Sequence, residues 1–162
     1  GQPIISYNFG ANNPERVRKG FRLLLLSSVI YAACIWAVAE LLPGVFVTIF
    51  TNDLQLAEFA RWAMRIYMAA VVLMGAQIAC QQTFIAFGNS KISAFLAMFR
   101  KIIVLIPLIY ILPVFLEDNV QAVFLAEPIA DVIAVATTLI LFRKNFKKVL
   151  AEMKQKSETQ DI

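Results

Sequence analysis

The sequence predicts an all-α fold: a polytopic helical membrane protein with four complete transmembrane helices and the end of a preceding one. Three observations predict it. Hydrophobic residues make up 60% of the chain and charged residues only 16%, with a mean hydropathy of +0.71, whereas soluble domains carry about one-quarter charged residues. The apolar runs reach the roughly 20 residues that a helix needs to cross the hydrocarbon core. The connections between the runs alternate in charge, basic then acidic. The net charge of +4 comes from cations at the ends of apolar runs, not from a patch interleaved with aromatics, so a nucleic-acid partner is not expected.

The chain opens with GQPIISYNFGANNPER. Residues 1–10 read as the end of a helix, too short to cross alone, and residues 11–22 as a basic cytoplasmic loop. There is no initiator Met, so the chain is expected to be a piece of a longer protein whose earlier part lies upstream. The first full span is residues 17–42, ending at Pro43 and Gly44, where Pro removes a helical donor and Gly accepts a left-handed turn. Its basic start and small-residue end resemble a signal peptide, but comparable runs follow it. Residues 45–50 are too short to cross and belong at the interface. Residues 56–87 form the second span, ending at Gly88 and Asn89; residues 90–115 form the third and residues 120–142 the fourth. Residues 143–162 are a basic cytoplasmic tail expected to fray from residue 151 onward.

Charge sets the direction. Arg16, Arg18, Lys19 and Arg22 precede span one, Lys91 separates spans two and three, and Arg143, Lys144, Lys147 and Lys148 follow span four. The other connections carry Asp53 and Glu58, then Glu117 and Asp118. Basic residues mark the cytoplasmic side, so the opening loop and the tail are expected inside. Arg61 and Arg65 are exceptions, and Glu58 is spaced to pair with Arg61. Cys34 and Cys80 fall in apolar runs of a chain without His; no metal site or disulfide framework is expected.

Glu127 and Asp131, four residues apart, share a helix face near the bilayer midplane, with Pro128 between them freeing the carbonyl of Phe124. A carboxylate there costs several kcal/mol unless paired, hydrated or protonated. Two readings are open: a proton- or cation-binding locus facing a cavity, or a structural ion pair. Arg100 in the antiparallel third span is within reach of Asp131. Lys101 is adjacent, hence on a different face, and is expected to snorkel toward the headgroups; if span three begins near Lys101, both cations sit in the interface instead. In span two, Tyr67, Met74, Gln77 and Gln81 recur at helical spacing as one stripe, either a wall for varied organic molecules or a set of interhelical hydrogen bonds.

The pattern resembles the multidrug and toxic compound extrusion (MATE) family of transporters. The resemblance rests on Gly1, Gln2, Pro3, Tyr7, Asn8, Gly10, Ala11, Arg16 and Val17, then Phe50 to Asp53, Phe87 to Ser90, and Pro128 to Asp131, in order along essentially the whole chain. It implies the end of helix eight and helices nine to twelve of a twelve-helix exporter, within its C-terminal six-helix lobe. The implied activity is export of cationic or amphipathic drug-like compounds in exchange for H⁺ or Na⁺, with no other cofactor and no enzymatic step. The implied partners are the lipid bilayer and the missing N-terminal lobe, in a bacterial plasma membrane. The pattern is most similar to the family's bacterial multidrug exporters, in which coupling is attributed largely to an acidic residue in the first helix of the N-terminal lobe; Glu127 and Asp131 do not match it and are expected to be auxiliary cavity groups.

A flippase for lipid-linked sugars, on a related scaffold, would need a strongly basic cavity, and Arg100 and Lys101 are the mid-span candidates. An intramembrane enzyme would use Glu127 and Asp131, but no His, paired Gly-Asp motif or metal-ligand cluster supports it. A small assembly subunit would need none of the midplane polar groups.

Overall fold

The computed structural model describes residues 1–160, and they contain helices and no strand. Helix α1 (Gln2–Gly10) ends in a short turn, and α2 (Pro14–Leu41) begins at once. The expected loop of residues 11–22 is therefore much shorter. Asn12 takes a left-handed conformation with φ of 51°, which Asn tolerates, and Asn13 caps α2 by accepting from the Arg16 amide at 3.0 Å. Pro14 occupies the first turn, where its missing donor costs nothing.

Helix α3 (Pro43–Phe50) is followed by α4 (Leu54–Met68) and α5 (Val71–Ala86). The expected second span is thus two helices, bent by 42° at their junction. No Pro or Gly lies at that junction. The halves share α2 and α8 as neighbours, but α5 also packs on α1 and α6 and α4 on α3, and tertiary packing overrides the local preference of Ala69 and Ala70 for helix. Glu58 and Arg61 make no ion pair; Arg61 lies over Gly44, where an added Cβ would stand 3.5 Å from its Nε.

The third span is α6 (Ser90–Met98), a π-helical segment (Phe99–Leu105) and α7 (Ile106–Phe115). Pro107 explains the widening: it cannot donate back along the helix and its ring crowds the carbonyl one turn earlier, so the preceding turn opens. Helix α8 (Asn119–Gln160) runs through the expected fourth span and on through the tail. The described part of the tail is helical where fraying was expected, because Leu150 and Met153 pack with Ile5, Val17, Ala86 and Phe87; residues 161–162 lie outside the described residues. The helices α2, α6–α7 and α8 are each long and apolar enough to cross a membrane, and α4 with α5 forms a broken span.

The passes alternate, giving the bundle a basic end and an acidic end. At the acidic end Asp53 accepts from the amides of Gln55 and Leu56, and Asp118 from those of Val120 and Gln121. Two of the four acids that mark this side, Asp53 and Asp118, are therefore helix caps. The basic end is closed by aromatic packing: Phe21 to Phe142 at 4.7 Å, Phe84 to Phe142 at 5.4 Å and Phe142 to Phe146 at 5.0 Å between centroids. Between α2 and α5 the backbones touch. A Cβ on Gly75 would sit 2.6 Å from the Ser28 carbonyl oxygen, the close approach that small residues permit between membrane helices.

Candidate functional site

The charged groups of the third and fourth spans converge. Arg100 and Lys101 lie in the π-helical segment, Glu127 and Asp131 on either side of a Pro128 turn in α8. Arg100 Nε donates to Asp131 Oδ1, and its Nη2 contacts that same oxygen. Arg100 Nη2 also donates to Glu127 Oε1 at 2.7 Å, and Lys101 Nζ donates to Glu127 Oε1 at 3.2 Å. Two cations and two carboxylates thus form one neutral network, bonded through Oδ1 of Asp131 and Oε1 of Glu127.

Burial grades across the network. The Asp131 side chain is 3% exposed and that of Arg100 15%, while that of Lys101 is 53% exposed. Charges at this depth persist because each is paired and hydrogen-bonded. The expectation that Lys101 turns away toward headgroups is corrected. The π-helical turn packs more residues per turn, so adjacent side chains diverge less in direction than on an α-helix, and both cations reach Glu127.

The expected stripe in span two is divided: Tyr67 lies on α4 and is exposed, whereas Met74, Gln77 and Gln81, still at helical spacing, lie on α5 beyond the bend. Gln77 is buried with its Oε1 lacking a partner, as does the Thr138 hydroxyl on α8. Met74 and Gln81 are half-buried. Beside the Pro128 turn runs an apolar groove of 570 Å³ between α4 and α8, with Arg65 in its lining; the network residues do not line it.

Residues of the opening string take structural roles. Asn8 is buried and its Nδ2 donates to the Ile4 carbonyl at 2.7 Å. Gln2 and Pro3 begin α1, Gly10 ends it, Arg16 offers its amide to the Asn13 cap, and Tyr7 is 75% exposed. The sequence reading missed the Gly75 contact and the π-helical segment. Pro107, following Arg100 by two turns, was the signal for the second. No group of His, Cys, Asp and Glu residues able to hold a metal occurs among the described residues.

A paired charge network within apolar spans, one of them bent and one widened, is the architecture of a multi-pass helical membrane protein. The MatE family model matches residues 1–111, and the chain belongs to that family. Among curated proteins none matches. A solved chain described as protein A is 32% identical, with a TM-score of 0.81, over 91% of this chain and 32% of its own length. The inward-facing conformation of a multidrug resistance MATE family transporter of the MOP superfamily is 15% identical, with a TM-score of 0.85, over 91% of this chain and 34% of that one. An outward-facing conformation of such a transporter is also 15% identical, with a TM-score of 0.83, over 91% and 33%. The chain spans about a third of the length of the solved chains it matches.

Proposed function

We propose that this chain forms part of the C-terminal lobe of a longer exporter, which expels cationic or amphipathic organic compounds in exchange for H⁺ or Na⁺ by alternating access. The observation that carries the reading is a buried, fully paired charge network inside the spans of a MatE-family chain. In this reading the network fastens the third and fourth spans so that the lobe moves as one body. The chain's fold is similar to both an inward-facing and an outward-facing transporter, which supports motion between lobes rather than within this one. Drug and coupling ion then act by favouring different lobe orientations. The primary coupling group lies outside these residues, and the basic end faces the cytoplasm.

The alternative of a flippase for lipid-linked sugars loses support. Its candidate cations, Arg100 and Lys101, are already neutralised by Glu127 and Asp131 and leave no free charge for a pyrophosphate.

The test uses the complete transporter in bacterial cells lacking other exporters. Ethidium accumulation should fall on expression, and fall further when an outward-to-inward H⁺ or Na⁺ gradient is imposed. Accumulation that expression leaves unchanged under either gradient would overturn the exporter reading.

A further inference from the structure

At the basic end of the bundle a groove of 340 Å³ opens between α6 and α8, with Phe84 of α5 at its floor. Lys91, Ile92 and Phe95 line it from α6, Leu141 and Asn145 from α8. Its polarity is graded along its length. Lys91 and Asn145 stand at the outer end; Phe95 and Leu141 each lie about 6 Å deeper along their helices. Phe95 is 54% and Leu141 40% exposed, so the apolar end opens sideways, away from the core.

The outer end suits an anion. Lys91 is exposed and makes no ion pair among the described residues. Helix α6 starts beside it without a side-chain cap, leaving the positive end of its dipole at the same level. Lys144 and Lys148 share the helix face of Leu141 and Asn145; Lys148 approaches Glu152 at 3.9 Å. No carboxylate lines the groove. The Asn145 side chain lines the groove, with its Oδ1 buried and without a hydrogen-bond partner.

We propose that this groove binds an anionic glycerophospholipid, of the phosphatidylglycerol type. The phosphate lies against Lys91 and the start of α6, and one acyl chain runs inward past Ile92, Phe95 and Leu141. A soluble phosphate would leave the apolar end unfilled. A phosphocholine headgroup would bring a second cation toward Lys91. Clusters of Lys and Arg beside membrane helices attract anionic lipid in general; the groove adds a place for the chain.

Retention of phosphatidylglycerol and phosphatidylcholine on the complete protein, extracted from mixed micelles, is measured by native mass spectrometry. Phosphatidylglycerol should stay bound and phosphatidylcholine should not. Lys91→Glu should lower phosphatidylglycerol retention at least tenfold. Lys91→Arg should preserve it, which separates loss of the site from loss of the fold. Arg18→Gln, on α2 and outside the groove, should leave it unchanged. Equal retention of the two lipids, equal loss in Arg18→Gln, or indifference to Lys91→Glu would each overturn the proposal. The last result would mean that protein, from another copy or another part of the chain, covers the groove.

Discussion

Arg100 and Asp131 are tied directly, the guanidinium Nε of a π-helical turn donating to Oδ1 of a carboxylate one turn beyond Glu127 on the antiparallel span. A proline stands near each residue: Pro107 follows Arg100, and Pro128 precedes Asp131 within the continuous helix α8. The widened turn and the charges belong together. A widened turn lets Arg100 and Lys101 share Glu127, which a regular α-helix would oppose by separating their directions.

This pairing makes a prediction about coupling. Arg100→Leu leaves two carboxylates facing one lysine, and Asp131→Leu leaves two cations facing one carboxylate. Each single change should destabilise the bundle by about 3–5 kcal/mol, the usual cost of stranding a buried charge. The double variant keeps only the neutral Lys101–Glu127 pair and should lose less than the sum, with a coupling of about 1–3 kcal/mol. Unfolding of the four proteins in detergent measures the cycle. Additive losses would show that the two side chains do not act as a unit.

Most of the fold was legible because membrane helices announce themselves by length and hydropathy, and their direction by charge. Asp53 and Asp118 carried that charge signal while serving as caps, so one residue answered two questions. Helix boundaries were less accessible. Asn13, Pro14 and Glu15 form a cap, a first-turn proline and a first-turn acid, a start signal that the basic residues behind them obscured. The bend between α4 and α5 had no local signal at all, since Met68 to Val71 contain no helix breaker. That bend is what separated Tyr67 from Met74, Gln77 and Gln81. Glu127 and Asp131 stood out because charge inside an apolar run is costly, but the second partner of Glu127 depended on a π-helical turn that periodicity does not report.

Gly75 and Gly10 should respond in opposite ways to the same substitution. A Cβ on Gly75 would press within 2.9 Å of Val29 Cα as well as on the Ser28 carbonyl; these are backbone atoms, so the two helices must separate. Gly75→Ala should cost about 1–3 kcal/mol, the range for overpacking, and lower the yield of folded protein. Gly10 belongs to the opening string, yet a Cβ there meets nothing within 4 Å and its backbone is not left-handed. Gly10→Ala should leave the melting temperature unchanged. A larger loss at Gly10 than at Gly75 would contradict the packing described here.

The start of α2 offers a local test. Asn13 supplies the cap on the Arg16 amide at 3.0 Å, and its own backbone amide bonds to the Asn8 carbonyl at 3.0 Å. Asn13→Ala should destabilise by about 1 kcal/mol, the ordinary cost of a lost cap. Asn13→Asp should retain the stability, because its carboxylate accepts the same bond and suits the helix N-terminus. Thermal unfolding of both variants decides it; equal behaviour of Ala and Asp would mean that the side chain does not cap.

Cys80 is a built-in reporter of the basic-end core. It is 1% exposed and packs with Phe84, Leu96 and Phe142, whereas Cys34 is exposed on α2. In protein with its other thiols replaced, a coumarin maleimide should not label Cys80 at room temperature and should label it as the bundle melts. Phe142→Ala removes the ring that contacts Phe21, Phe84 and Phe146 and should cost about 3–5 kcal/mol, moving the labelling transition down by several degrees. Cys34→Ser, one of those replacements, should leave the melting temperature of the unlabelled protein unchanged, since that side chain is exposed. Rapid labelling of Cys80 in the native protein would show that helices α5, α6 and α8 are not closed around it.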